Sequence, residues 1–157
     1  IMAKEIERKF LLIGDEWRVL AEGIHYRQGY LQRTQVCTVR VRLIKDKAFI
    51  TMKGNVTGIT RNEYEYEIPY EDGEAMLEYF SDKPLIEKLR YTINYEGFIW
   101  EVDEFLGANA GLIIAEIELA SDDQTFKKPA WVGEEVSEDP RYFNSNLVSY
   151  PYGIWEK

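Results

Sequence analysis

Several things are scarce in this sequence, and each scarcity narrows what the chain does. It has one cysteine, Cys37, among 157 residues. That excludes an intramolecular disulfide and a thiolate metal cluster, and it fits a reducing, cytoplasmic setting. Apolar runs stop after a few residues, as in Leu112-Ile113-Ile114-Ala115. A membrane-spanning helix needs about 20, so no membrane partner is expected. No apolar segment of the signal-peptide kind opens the chain, and Met2 reads as the translation start, with Ile1 foreign to it. Basic charge is in deficit: 19 Lys and Arg face 28 Asp and Glu, a net charge of −9. Such a balance argues against nucleic-acid binding, which relies on basic surfaces. Linkers, repeats and low-complexity tracts are also missing, so residues 2–157 read as one domain.

What is present is alternation. Period-two runs occupy Lys4–Leu12, His25–Arg33, Cys37–Lys45, Ala48–Lys53, Thr60–Pro69, Leu85–Glu96, Phe98–Glu104 and Leu112–Ala120. Short turns such as Lys45-Asp46-Lys47 and Glu96-Gly97 join them, which favours antiparallel neighbours. The fold expected is mainly β (α+β), with about eight strands. Helices are few. Asp15 caps a short one that Gly23 stops, Asp72–Phe80 forms another with Met76, Leu77, Tyr79 and Phe80 as its buried side, and a third lies near Asp139–Val148. The Gly54–Gly58 stretch reads as a hairpin loop, without the context of a phosphate-binding P-loop.

Side chains alternate across a strand, so each run has a charged face and an apolar one. Glu5, Glu7 and Lys9 oppose Ile6 and Phe10, which leaves Arg8 outside; Arg40 and Arg42 oppose Val39 and Val41. Glu63, Glu65 and Glu67 oppose Tyr64 and Tyr66; Lys88 and Arg90 oppose Leu89 and Tyr91; Asp103 opposes Val102; Glu116 and Glu118 oppose Ile117. Two arrangements accommodate this pattern. In one, a sandwich turns its polar faces to water, as half-buried strands commonly do. In the other, a closed eight-stranded barrel holds the charges inside. The second accounts for the density of Arg and Glu, for the sorting of sign by strand, and for outward aromatics (Tyr64, Tyr66, Tyr91, Trp100) that need helices as cover. A charged interior must pair or bind something. A ligand that satisfies both signs is a polyanion carrying a hard cation, Mg²⁺ or Mn²⁺, with Arg and Lys on the remaining phosphate oxygens.

Glu5-Ile6-Glu7-Arg8-Lys9 resembles the ExExK signature of the CYTH superfamily, the triphosphate tunnel metalloenzymes, in its short single-domain bacterial form. The order continues with Arg27-Gln28-Gly29-Tyr30-Leu31, Val39-Arg40-Val41-Arg42, Thr51-Met52-Lys53, Arg61-Asn62-Glu63-Tyr64-Glu65, Glu87-Lys88-Leu89-Arg90-Tyr91, Glu101-Val102-Asp103 and Ala115-Glu116-Ile117-Glu118. The resemblance implies an eight-stranded antiparallel tunnel that holds a triphosphate with Mg²⁺ or Mn²⁺. It implies metal ligation by Glu5, Glu7, Glu116 and Glu118, with Glu63, Glu65 and Asp103 as further acidic tunnel positions that ligate a second metal, orient water or anchor basic residues. It implies phosphate binding by Lys9, Arg40, Arg42, Lys53, Lys88 and Arg90, with Arg27 near one mouth. Arg141, Tyr142 and Asn144 fall in a C-terminal stretch that closes one tunnel end in short members.

The reading is therefore hydrolysis of inorganic triphosphate to phosphate and pyrophosphate, with Glu5, Glu7, Lys9, Glu63 and Lys88 as catalytic candidates. Two rivals stand beside it. One is nucleotide chemistry in the same tunnel: adenylyl cyclase, thiamine triphosphatase or a general nucleoside triphosphatase acting on ATP. The other is a polyphosphate-binding module without turnover. Arg61 belongs to the tunnel or its rim, whereas Glu67 and Glu101 extend the charged faces beyond the chemistry. His25 reads as a strand-start residue at a mouth. Cys37 packs outside, and Trp17, Trp100, Trp131 and Trp155 read as packing residues.

Overall fold

A computed structural model describes residues 4–55, 57 and 59–156; Met2 with Ile1, and Val56 and Gly58 of the expected hairpin loop, lie outside the described residues. The described residues form nine strands, the first eight of which follow the alternation closely: β1 (Lys4–Leu12), β2 (Ile24–Arg33), β3 (Cys37–Ile44), β4 (Lys47–Gly54), β5 (Thr60–Ile68), β6 (Ile86–Tyr95), β7 (Phe98–Phe105), β8 (Ile113–Glu118) and β9 (Val132–Glu135). Eight of them close an antiparallel barrel in the order β5-β4-β3-β2-β6-β7-β8-β1, with β1 returning to β5. The ninth, which the alternation did not show, adds to the outer edge of β1.

The closure is asymmetric because β1 divides its pairing. Its first residues face β5, Lys4 opposite Asn62 and Ile6 opposite Thr60. Its later residues face β8, from Glu7 opposite Glu118 to Leu11 opposite Ile114. Where β1 leaves β5, Phe10 and Leu12 take β9 as their partner.

With charges in the middle of the barrel, the apolar packing forms two clusters outside its wall and a third that fills one end from within. Phe10, Trp100, Val102, Ala115 and Ile117 project outward and are covered by Trp17 and Trp131. Ile86, Phe105 and Ile114, opposite Gln28, Lys88 and Asp103 in the ladders and so on the same inward face, close one end of the barrel with Tyr30 and Leu112, packed by Leu147, Val148 and Trp155 of the C-terminal segment. Val41, Leu43 and Ala48 are covered by Leu77 of α1 (Tyr70–Phe80). All four tryptophans are buried packing residues. Gly73 lets α1 lie against the wall: a Cβ there would stand 2.5 Å from the Ala48 Cβ.

The helices differ from expectation. Asp15 starts only a single 3-10 turn, Glu16–Val19, because its carboxylate bonds Arg18 instead of capping backbone N–H groups. α1 begins two residues early, and its buried face is Gly73 and Leu77, four residues apart as helical geometry requires. Tyr79 and Phe80, expected inside, are 77% and 68% exposed. The third helix breaks into a 3-10 turn at Pro140–Tyr142 and one turn of helix, α2 (Asn146–Ser149). Cover is also incomplete over β5. α1 packs on β2, β3 and β4, so Tyr64 and Tyr66 remain exposed while Tyr91 and Trp100 are covered.

Candidate active site

The inward faces enclose a cavity of about 160 Å³, room for on the order of ten waters. Its charges sort by wall. The neighbouring strands β5, β1 and β8 contribute Glu63, Glu65, Glu5, Glu7, Glu116 and Glu118, and across the cavity β3 and β6 contribute Arg40, Arg42, Lys88 and Arg90. Lys9, Lys53 and Arg61 stand among the carboxylates as their counter-ions.

Every strongly buried charge has a named environment. Glu5 accepts from Lys53 Nζ at 2.7 Å and from Arg61 Nε at 3.1 Å. Lys9 Nζ donates to Glu7 at 2.8 Å and to Glu116 at 3.0 Å. Asp103, fully buried, accepts from Lys88 Nζ at 2.7 Å and from Arg90 Nε and Nη2 at 2.7 and 2.8 Å. Arg42 Nε donates to Gln28 Oε1 at 2.7 Å. Tyr26 lies beneath the Arg42 and Arg90 guanidiniums, 5.0 and 4.9 Å from its ring centre. Arg40 Nη2 reaches Thr51 Oγ1 at 3.2 Å, which in turn donates to Glu65, while the buried Arg40 Nε has no partner.

These pairs do not neutralise either wall. Burial, then the shared hydrogen bond and charge of Glu5, push the Glu63 carboxyl up to about 7. Burial and the carboxylates of Glu5, Glu7 and Glu101 raise Glu118, which no ion pair engages among the described residues. On the other wall, burial and the charges of Arg40 and Arg90 lower Arg42. Burial, reinforced by Arg90 and Arg42 against the pull of Asp103, brings the Lys88 ammonium down to about 7. Elsewhere pairing wins over burial. Lys53 holds Glu5 well below the carboxylate range, and Lys9 holds Glu7 at about 2. Asp103 stays ionised against burial because Arg90 and Lys88 grip it. One wall thus has carboxylates repelling carboxylates, and the other has cations repelling cations.

The donor chemistry fits a hard divalent cation. Glu5, Glu7, Glu63, Glu116 and Glu118 present oxygen ligands on one wall, and their mutual repulsion is what such an ion relieves. Among the described residues no three of these groups already converge on a common point, because Lys9 and Lys53 hold Glu7, Glu116 and Glu5. The cationic wall, with an unpartnered guanidinium N–H at Arg40, fits phosphate oxygens.

Most expected residues meet in this cavity, with three corrections. Arg27 does not: Tyr26, Gln28 and Tyr30 take the inward face of β2, and Arg27 lines an outer groove with His25, Lys45 and Tyr70. Asp103 touches no cavity surface; its oxygens are committed to Lys88 and Arg90, which favours the anchor for basic residues over the metal ligand among its expected roles. Glu101, expected beyond the chemistry, lines the cavity and pairs with Arg90 at 3.2 Å. Arg61 is in the cavity, and Glu65 reaches it from a side chain 42% exposed. His25 sits on the outer wall, 2.9 Å from Glu87. Sequence reasoning did not pick out Gln28 and Tyr30. The signal was available in Tyr26, Gln28 and Tyr30, spaced two apart, which places Gly29 and Leu31 against the outer packing.

The same architecture occurs in proteins whose activity is named. An inorganic triphosphatase from Acetivibrio thermocellus is 58% identical over 151 residues, covering 96% of this chain and 97% of its own length. An inorganic triphosphatase from Nitrosomonas europaea is 38% identical over 148 residues, covering 92% and 96%. A crystal structure of an inorganic triphosphatase superposes with a TM-score of 0.64 at 36% identity, covering 91% of this chain and 96% of that one. The model of the CYTH domain matches residues 3–149, and the chain belongs to the CYTH family.

Proposed function

We propose that this chain is a divalent-metal-dependent triphosphatase that hydrolyses inorganic triphosphate to phosphate and pyrophosphate, acting in the cytoplasm as one domain. The observation that carries the proposal is the two unneutralised walls, carboxylates of β5, β1 and β8 facing cations of β3 and β6 across one cavity. A triphosphate accompanied by Mg²⁺ or Mn²⁺ satisfies both. The names of the two similar proteins, each an inorganic triphosphatase, support the same substrate.

Glu5, Glu7, Glu116 and Glu118 would hold the cation. Bound there, it supplies Lewis-acid charge to the phosphate oxygens. Arg40, Arg42 and Arg90 grip the remaining oxygens, and Lys9 and Lys53 turn from their carboxylates to phosphate as these are taken up. The water that adds to the terminal phosphorus gives its proton to a carboxylate. Glu63, held up to about 7, accepts it more readily than Glu5 or Glu7, which are held low by lysine. The anhydride bond breaks, and Lys88, poised at about 7, gives a proton to the departing pyrophosphate oxygen.

Incubation with inorganic triphosphate, ATP and thiamine triphosphate, each with Mg²⁺ or Mn²⁺, tests the proposal. Phosphate and pyrophosphate from inorganic triphosphate are expected. Cyclic AMP from ATP, or no product from any substrate, refutes the reading. Glu7→Gln should abolish metal-dependent turnover and leave the fold intact, because Lys9 keeps Glu116 as a partner.

A further inference from the structure

The segment between the Pro140–Tyr142 turn and α2 is part of the cavity surface: Phe143, Asn144 and Ser145 all line it. It is held firmly. Leu147 and Val148 just beyond are buried with Tyr30, Ile86, Phe105 and Ile114 in one end of the barrel. Arg33, at the end of β2, donates to the Ser145 carbonyl at 3.0 Å and to Ser149 Oγ at 3.3 Å, and its Nε grips Asp82 at 2.9 Å.

Within that segment the orientation of Asn144 follows from a chain of obligatory donors. Arg42 Nε has no acceptor capacity, so the Gln28 atom that it meets is the carbonyl Oε1. The other end of Gln28 is therefore Nε2, which donates to Asn144 at 3.3 Å. Lys88 Nζ donates to the same Asn144 atom at 3.0 Å. That atom must be Oδ1, which leaves the Asn144 amide nitrogen, with two N–H groups, free of any partner among the described residues on a side chain lining the cavity.

Resting on the triphosphatase reading, we propose that Asn144 is a substrate-binding residue. Its Nδ2 donates to an end phosphate of the bound triphosphate, and the segment Phe143–Ser145 is the stop against which that end comes to rest. The same side chain seats Lys88 through Oδ1, so one amide registers the phosphate chain and positions the ammonium beside it. The ligand recognised is a bare terminal phosphate, richer in acceptor charge than an esterified one.

Two substitutions separate this role from a merely structural one. Asn144→Asp keeps an oxygen acceptor for Gln28 and Lys88 but replaces the free N–H groups with a carboxylate oxygen facing phosphate. Asn144→Ala removes both. Triphosphate binding with Mg²⁺ is measured by calorimetry, with KM and kcat alongside, at a temperature where thermal melts show each variant folded. The expected order is wild type, then Asn144→Ala weaker by about tenfold, then Asn144→Asp weaker by about a hundredfold, from the usual strength of charge-assisted bonds. Asn144→Asp binding as tightly as wild type, or more tightly than Asn144→Ala, overturns the assignment, since seating Lys88 would then be the whole role. Equal binding by all three overturns it too. A wild-type protein that binds no triphosphate sinks the triphosphatase reading itself, and the Asn144 assignment with it.

Discussion

Asp103→Asn isolates a carboxylate that supports the cationic wall without lining the cavity. Asp103 is fully buried and accepts three bonds, two from Arg90 and one from Lys88. An asparagine retains one oxygen. If that oxygen takes the place of Oδ2, it still meets Lys88 Nζ and Arg90 Nη2, but the new NH₂ then opposes Arg90 Nε, donor against donor. More important, Arg90 and Lys88 lose their shared counter-charge on a wall that already holds Arg40 and Arg42. Breaking a buried pair in this way costs about 3–5 kcal/mol. For a chain of this size, about 2–4 °C per kcal/mol places the fall in Tm at roughly 6–20 °C. Thermal unfolding followed by circular dichroism, without phosphate in the buffer, measures it. Triphosphate should recover part of the loss, because its oxygens offer Arg90 a second acceptor. A Tm within 2 °C of wild type would mean that the cationic wall does not depend on Asp103, and the account of the wall given above would be wrong.

Three further outcomes are expected. Gly73→Ala brings a methyl within 2.5 Å of the Ala48 Cβ; overpacking of this kind costs about 1–3 kcal/mol, read as a lower Tm with turnover below the transition unchanged, since α1 lies outside the barrel. Glu63 is held near 7 against an ordinary 4.5, so the fold favours its protonated form. That contribution is complete below pH 4.5 and lost as pH rises through 7, and Glu63→Gln should flatten the fall in stability across this window when urea midpoints are compared. Arg33→Ala removes the bonds that hold Ser145 and Ser149; amide hydrogen exchange should quicken over residues 145–149 and stay unchanged in β7.

The strands were legible because alternation is a local property. Residues in β1, β3 and β5 face where period two places them, and the sorted signs identified the inner face. Arg27 was misplaced because polarity alone does not settle the parity of β2. Its inner face is Tyr26, Gln28 and Tyr30, and a tyrosine is as acceptable beneath two arginines as against an outer packing layer. Tyr79 and Phe80 were misjudged for a related reason: an apolar residue near a helix end need not face the sheet, and only the 73–77 spacing selects the contact. The roles of Asp103 and Glu101 depend on pairing across β6 and β7, with Arg90 directly opposite Asp103. Register of that kind is not written in either strand by itself.

The placement of the apolar packing explains how the fold tolerates such an interior. In an ordinary domain, charges repelling one another at the centre would compete with the hydrophobic core for the same space. Here two of the packed clusters lie outside the barrel wall, beneath α1 and the coverings of Trp17 and Trp131, and the third occupies only one end of the interior, where Tyr30, Ile86, Phe105 and Ile114 meet the C-terminal segment. Stability comes from these contacts and the strand ladders, so the middle of the inner faces is released from packing duty. The like-charge repulsion left there is offset by packing elsewhere in the fold, and it would fall on entry of a ligand of the right composition. A ligand with anions alone would relieve the β3 and β6 wall and worsen the opposite one. A cation alone would do the reverse. Relief of both walls requires the two together, which is what the proposed metal-accompanied triphosphate would bring.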